Sequence, residues 1–392
     1  MNEDEDNDLQ DLILALAPAL AAAFMAAIVL LRTGIDYQAL VEALRVNDID
    51  AAIDALNIEP ATFNGYVMER QSGYTQAGMT VSEVLTKQRA QAFRAPRQPS
   101  VTMPSGPPDT PRPPALSLDG PEPSRITFRF DMTNPRAEAR IRTEAASRVA
   151  GYVEEQVQVA RKVIGDGFQR GEGPQQIATD IAGRINPVSK RREGGIIGLS
   201  DPQAGYVENM RRRLLSGDPD EMLKVLGQTD SDGKWVDGTG MTLRDRRYDR
   251  SIKKAIRDVA AGKPNPLTRE RVDEMTAKYS DRLLARRAED VARTETASGV
   301  EMARAEATRQ ALDKAGLDDD ALTKRWVHQG GIENARAQHL AMNARTVVGV
   351  DALFVLPDGT EMLFPHDPAG GAKHNTNCRC RGDQIIDWAY GL

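Results

Sequence analysis

The sequence predicts a mainly α-helical chain that ends in a small α+β module, with N-terminal helices joined by a proline-rich linker to a helical body. Three observations carry this. Aromatic residues make up only 5% of the chain, while alanine-rich stretches with helical period recur throughout, a balance that favours helix. Ten of the 22 prolines fall between Pro96 and Pro123. All four histidines and both cysteines lie at or beyond His328, which sets the C-terminal end apart in its chemistry.

Residues 1–94 read as an N-terminal helical anchor. The first residues, Asn2-Glu-Asp-Glu-Asp-Asn-Asp8, are acidic, the wrong sign for the n-region of a secretory signal. Residues 12–31 follow without a charge, a helix of about 30 Å and so long enough to span a bilayer. Alanine contributes little to transfer into lipid, and Pro18 interrupts the first half. Protein packing and membrane contact both stay open for this helix. Next come two short amphipathic helices. Tyr37, Leu40, Val41 and Leu44 share one face, Ile49, Ile53 and Leu56 another, with Asn47-Asp48 as the turn. A further helix is expected from about Val81 to Phe93. Residues 95–124 form the linker, too poor in apolar residues to bury a core.

The body spans residues 125–315. It opens with Arg125-Ile-Thr-Phe-Arg-Phe130, whose alternation reads as an edge strand. A long helix is expected over residues 135–170, with Val149, Val153, Val157, Ile164 and Phe168 at helical spacing. Pro174 sits in a first turn, where proline is tolerated. Helices continue over 204–215, 221–226 and 243–260, and then from Thr268 to about Ala315. The interval Gln228 to Gly240, rich in Asp, Gly and Thr, reads as an exposed loop.

Residues 316–392 form the α+β module, with strand-like pieces near Trp326, Val347, Phe354, Met362 and Cys378. Thiolate and imidazole are the usual ligands of structural zinc, which takes four of them in a tetrahedron. Cys378 and Cys380 point to the same side of an extended backbone. With His339 they supply three ligands, and Asp367, His374 or His366 supplies the fourth. A module this small buries little apolar surface, and zinc is a common staple for such folds. Ordinary buried cysteines and histidines remain the competing reading.

Read in order, Arg293-Thr-Glu295-Thr296, Trp326, Arg336-Ala-Gln-His339, Pro365-His-Asp367-Pro368 and Asn377-Cys-Arg-Cys380 resemble the phage head morphogenesis family, the phage Mu protein F-like minor capsid proteins. The upstream segment Gly171-Glu-Gly-Pro-Gln-Gln-Ile-Ala178 is similar as well. The resemblance covers residues 151–381, with Arg293, Glu295, Trp326, Arg336 and Asn377 as its structural motif. His366 stands where a glycine is commoner in the family, and Lys373-His374 where an acidic residue is usual. The resemblance implies a minor head protein of a tailed phage, needed for assembly of an infectious particle. It would assemble in the host cytoplasm and reside inside the capsid near the portal, in several copies. Its implied partners are the portal protein and the major capsid or scaffolding protein, and some relatives leave the head with the packaged DNA.

Two other classes stand beside this one. A membrane-active ejection protein would use residues 12–31. A metal-dependent hydrolase or toxin-like enzyme would use the His/Cys cluster, since domains of this family also occur beside toxin domains. Catalysis is the less expected. The chain has no His-Glu-x-x-His helix, no zinc-deaminase signature, no Walker loop and no Gly-x-Ser-x-Gly elbow. A net charge of −6 argues against bulk nucleic acid as the main partner. The basic runs Lys190–Arg192, Arg211–Arg213 and 244–254 are expected as solvated helix faces. Two cysteines in 392 residues rule out a disulfide scaffold and point to folding in a reducing compartment.

Overall fold

Residues 3–93, 126–330 and 335–390 are described by the structure, a computed structural model. The proline-rich segment 95–124 lies outside them. The helices in chain order are α1 (Glu3–Gly34), α2 (Tyr37–Arg45), α3 (Ile49–Asp54), α4 (Asn64–Ala92), α5 (Pro135–Gln169), α6 (Pro174–Ala182), α7 (Asp201–Leu215), α8 (Pro219–Leu226), α9 (Asp249–Ala260), α10 (Arg269–Ala315), α11 (Ala337–Met342) and α12 (Gly371–Asn375). The strands are short: β1 (Arg184–Ile185), β2 (Arg192–Glu193), β3 (Gly227–Thr229), β4 (Trp235–Asp237), β5 (Leu322–Val327), β6 (Thr346–Val348), β7 (Phe354–Val355), β8 (Glu361–Met362) and β9 (Arg381–Ile386). The chain is therefore mainly α, with small antiparallel sheets concentrated at its C-terminal end.

Contacts divide it into two compact units that differ from the consecutive segments expected. One gathers Leu16–Gln71 with Arg140–Arg293, and the other gathers Met1–Ala15, Ser72–Ala139 and Thr294–Leu392. The separation follows from where apolar faces find partners.

In the first of these units, the apolar N-terminal helix is used internally. Leu20, Phe24, Ala27, Ile28 and Leu31 are buried at three- and four-residue spacing, one face of a helix. Phe24 meets Tyr66 and Tyr152 edge-on at 6.0 and 5.4 Å between centroids, and Phe63 stacks on Tyr152 at 5.9 Å. Pro18 does not interrupt α1, which runs through it, with the loss of one backbone hydrogen bond. The short helices are fixed by their caps. Asp36 and Asp48 each accept the amide three residues on, both at 3.0 Å, and Pro174 opens α6 at its first position. The interval 228–240 is not a plain loop: β3 and β4 pair as a hairpin with Thr229 opposite Trp235. Asp230 turns it by accepting the amides of Asp232 and Lys234, and Trp235 fills the space a Cβ on Gly227 would need. Phe24→Ala is expected to cost about 3–5 kcal/mol, the usual figure for a truncated buried aromatic. Faster hydrogen exchange in α1 and in the part of α5 around Tyr152 would register it, and unchanged exchange there would contradict the packing described.

The other unit contains the C-terminal module. Residues 126–130 are extended but pair with no strand, so the edge strand expected there is absent. Its alternation is used for packing instead. Phe128 stacks on Trp388 at 5.4 Å, Phe130 lies 5.6 Å from Tyr74, and the Phe128 amide donates to the Thr86 hydroxyl. Helix α4 starts at Asn64, well before the Val81 that period alone indicated. Beyond Thr294, α10 carries buried Glu295, Ser298, Glu301, Arg304 and Glu306. The module itself is the sheet β6-β5-β9 with the small hairpin β7-β8. Strand β5 alternates strictly, turning Leu322, Lys324 and Trp326 inward. The buried Lys324 ammonium is held by the carbonyls of Val350, Ala352 and Leu363, so its charge is solvated by backbone dipoles.

Candidate metal centre

Each member of the His/Cys cluster is placed by a separate piece of local structure. Strands β5 and β9 pair antiparallel with Val327 opposite Arg381, a register that carries His328 to a position opposite Cys380. His339 lies on α11, whose start is pinned by Arg336: its guanidinium donates to the Lys373 carbonyl at 2.8 Å and the Thr376 carbonyl at 2.6 Å. The same two bonds tie down the segment leading to the cysteines. Asn377 then takes a φ of +55°, a region asparagine tolerates better than most residues. The turn before Cys378 closes with its amide on the Asn375 carbonyl.

The cluster is compact. One ligand atom each from His339, Cys378 and Cys380 falls within 4.8 Å of the others, and all three residues are buried. The Nδ1 of His339 is 3.5 Å from both sulfurs. Both cysteines are free thiols, and the hydrogen bond between them sets their protonation: Cys378 is held well below the usual thiol range and Cys380 is pushed above it. The buried Trp326 indole N–H has no hydrogen-bond partner of good geometry. Together with Arg336 it favours the Cys380 thiolate, against the dominant effect of Cys378.

A wire of hydrogen bonds fixes the His339 tautomer. Asp358 sits in the Pro357-Asp358-Gly359 turn between β7 and β8. Lys373, at 2.5 Å, holds its carboxyl far below the ordinary carboxylate range. That carboxylate accepts from His374 Nε2 at 3.0 Å, and His374 Nδ1 lies 3.2 Å from His339 Nε2. A carboxylate can only accept, so His374 carries its proton on Nε2, and a neutral His374 accepts at Nδ1. His339 then donates from Nε2 and presents the lone pair of Nδ1 to the two sulfurs.

The expected fourth ligands part company. Asp367 caps a single 3-10 turn, its oxygens accepting the amides of Leu363 and Ala369 at 2.6 and 3.0 Å; it serves the backbone. His374 is occupied at both nitrogens and stands behind His339, an outer partner of the kind that orients metal-bound imidazoles. His366 is buried beside Cys378. Burial is the largest influence and opposes its charge, but the Cys378 sulfur, the Glu301 carboxyl and the Cys380 carbonyl together raise its pKa. Sequence reasoning missed His328, whose Nδ1 is 3.5 Å from the Cys380 sulfur; only the β5–β9 register could have revealed it. Of the structural motif, Glu295, Trp326, Arg336 and Asn377 belong to the unit holding the module, whereas Arg293 belongs to the other unit and is exposed. Arg336→Ala removes two charge-assisted bonds, each worth about 1.5–3 kcal/mol. Alkylation of Cys378 and Cys380 is expected to speed up, and an unchanged rate would refute the pinning role.

Fold and site together define a mainly helical protein with a His/Cys-centred α+β module. No family profile matches the chain, and no solved structure matches it. A stretch of 66 residues, 16% of this chain, is 36% identical to an uncharacterized protein, YqbB, of Bacillus subtilis strain 168. That stretch covers 21% of YqbB, so the chain matches about a fifth of the length of that relative.

Proposed function

We propose that the chain is a minor capsid protein of a tailed phage, a head morphogenesis protein acting as a structural adaptor at the portal vertex. What supports the reading is that residues scattered through the family-like pattern have scaffold roles around one centre. Trp326 packs edge-on against His339 at 5.6 Å, Arg336 pins the segment before the cysteines, Asp367 caps the turn after Pro365, and Asn377 turns the chain into Cys378. These are positioning roles, and in them no side chain is poised against a substrate. An adaptor needs such a rigid end for docking to portal, capsid or scaffolding protein, and the packaged DNA lies within reach of any protein in that position. The test is mass spectrometry of purified particles made by the replicon that encodes the chain, with and without a nonsense codon in its gene. A few copies per particle, and a large loss of infectivity with the nonsense codon, are expected. Particles that lack the chain, or plate normally without it, would end the proposal.

One observation favours a membrane-active ejection protein as a second reading. Within α1, Leu9–Gly34 is long and apolar enough to cross a bilayer, and Leu14 and Leu30 are both 59% exposed. Against it, Phe24, Ile28 and Leu31 are core residues of the chain itself. Leu14→Asn/Leu30→Asn would abolish flotation with liposomes if α1 inserts, while a wild-type chain that never floats removes this reading. Hydrolytic activity lost on Cys378→Ser would favour the enzyme class instead.

A further inference from the structure

We propose that His339, Cys378, Cys380 and His366 bind one zinc ion in a closed tetrahedral site, with His374 and Asp358 as its outer shell. The site stands independently of any role in phage particles. Its first support is the pattern of lone pairs. Asp358 and His374 force His339 to present an unprotonated Nδ1 to both sulfurs, as derived above. His366 reaches the same condition by another route: its Nε2 lies 3.1 Å from the Cys380 carbonyl, which can only accept, so a neutral His366 carries its proton there and keeps the lone pair on Nδ1. That Nδ1 is buried with no hydrogen-bond partner of good geometry, its neighbour being the Cys378 sulfur. The His339 lone pair and the two sulfurs thus meet within 4.8 Å of one another, and the His366 lone pair, outside that group of three, lies buried against Cys378. A buried acceptor left unmatched costs about 1–3 kcal/mol, and zinc is a partner that takes two sulfurs and two imidazole nitrogens together.

The spacing agrees. Zinc bonds of about 2.3 Å to sulfur and 2.0–2.1 Å to nitrogen imply a tetrahedral edge of about 3.6 Å, and His339 Nδ1 is 3.5 Å from each sulfur. His328 Nδ1 also lies 3.5 Å from the Cys380 sulfur, but His366 is chosen over it on three grounds. It is 4% exposed whereas His328 is half-buried. It has the orphaned nitrogen. It also holds a φ of +68°, a conformation uncommon outside glycine that is retained where the surroundings require it. Thiolate donors select zinc over magnesium or calcium. With four protein ligands no coordination position is left for water, so the ion would be structural. Binding releases the remaining thiol protons to solvent.

The test uses the full chain without a histidine tag. Elemental analysis after expression in zinc-supplemented medium is expected to give one zinc per chain, and Cys378→Ser/Cys380→Ser none. A chain that carries no zinc and takes up none when titrated with Zn²⁺ would overturn the site. Cobalt substitution should give the intense visible bands of a tetrahedral centre with thiolate charge transfer, and the weak spectrum of an octahedral ion would count against it. His366→Ala is expected to weaken zinc binding by about 100-fold or more, beyond the 10–100-fold typical of outer-shell losses, with His328→Ala near wild type. The reverse order would overturn the choice of His366. If His366→Ala does not fold, imidazole ¹⁵N shifts of the zinc-loaded wild-type chain decide the matter: metal-bound Nδ1 at His339 and His366 supports the assignment, and at His328 refutes it.

Discussion

If the proposed site holds zinc, withdrawing the ion from the full chain with a chelator is expected to melt the β6-β5-β9 sheet at temperatures where the loaded chain keeps it. The reason is the size of the core around the site. Its buried apolar members are Trp326, Met342, Phe354, Leu356 and Met362, and the remaining two are Cys378 and Cys380 themselves. Structural zinc supplies on the order of 10 kcal/mol or more to such modules, while whole domains are stable by only about 5–15 kcal/mol. Loss of the ion therefore removes an amount comparable to everything holding this module folded. It would also leave His339 and the two cysteines, all buried, without a shared partner. Amide exchange in β5 and β9, followed with and without chelator, reads the effect directly, and Cys378→Ser/Cys380→Ser should reproduce it without chelator. Protection that is the same in all three samples would mean that packing alone stabilises the sheet.

The ease with which sequence revealed these features depended on how local each one is. Helices α2, α3 and α6 follow from apolar spacing, the Asp36 and Asp48 caps and Pro174, all contained within a few residues. The extended segment at Ile126, Phe128 and Phe130 shows the limit of that logic. Period two belongs to any extended backbone, and whether the segment joins a sheet depends on Trp388 and Tyr74, far away in sequence. The hairpin β3-β4 was hidden by composition, because a polar Asp-Gly turn looks the same in a loop and between two strands. At the site, residue type marked His339 and the two cysteines. The ordering of the other histidines was not legible, since His328 is placed by a strand register and His374 by a carboxylate in another turn. Burial of charge was the hardest to see. Arg211 sits in a basic run with Arg212 and Arg213 and was expected at a solvated face, yet its side chain is 8% exposed.

Arg211→Met is accordingly expected to destabilise the unit built from Leu16–Gln71 and Arg140–Arg293 by about 3–5 kcal/mol, the range for removing one partner of a buried ion pair. The arginine serves three carboxylates at once: Asp180 at 2.9 Å, Glu208 at 2.9 Å and Asp273 at 3.4 Å. Arg269 also reaches Asp180 and Asp273, at 3.3 and 3.4 Å, but it cannot neutralise both. Asp180 carries most of the consequence. Burial outweighs both arginines and lifts its pKa from 3.8 to about 6. The folded state thus binds an extra proton between those two values, and the contribution of Asp180 to stability is greatest in acid and declines as pH rises from about 4 to 6. Without Arg211 the folded pKa should climb further, so the loss continues through neutral pH. The variant should therefore be much weaker than wild type at pH 8 and closer to it at pH 5, and Asp180→Asn added to Arg211→Met should recover part of the loss at pH 8. A double-mutant cycle run at both values isolates the pair from the other titrating carboxylates. If Arg211→Met cost less than about 1 kcal/mol at pH 8, the scale of an exposed pair, the cluster would be an ordinary surface network and burial would contribute nothing to it.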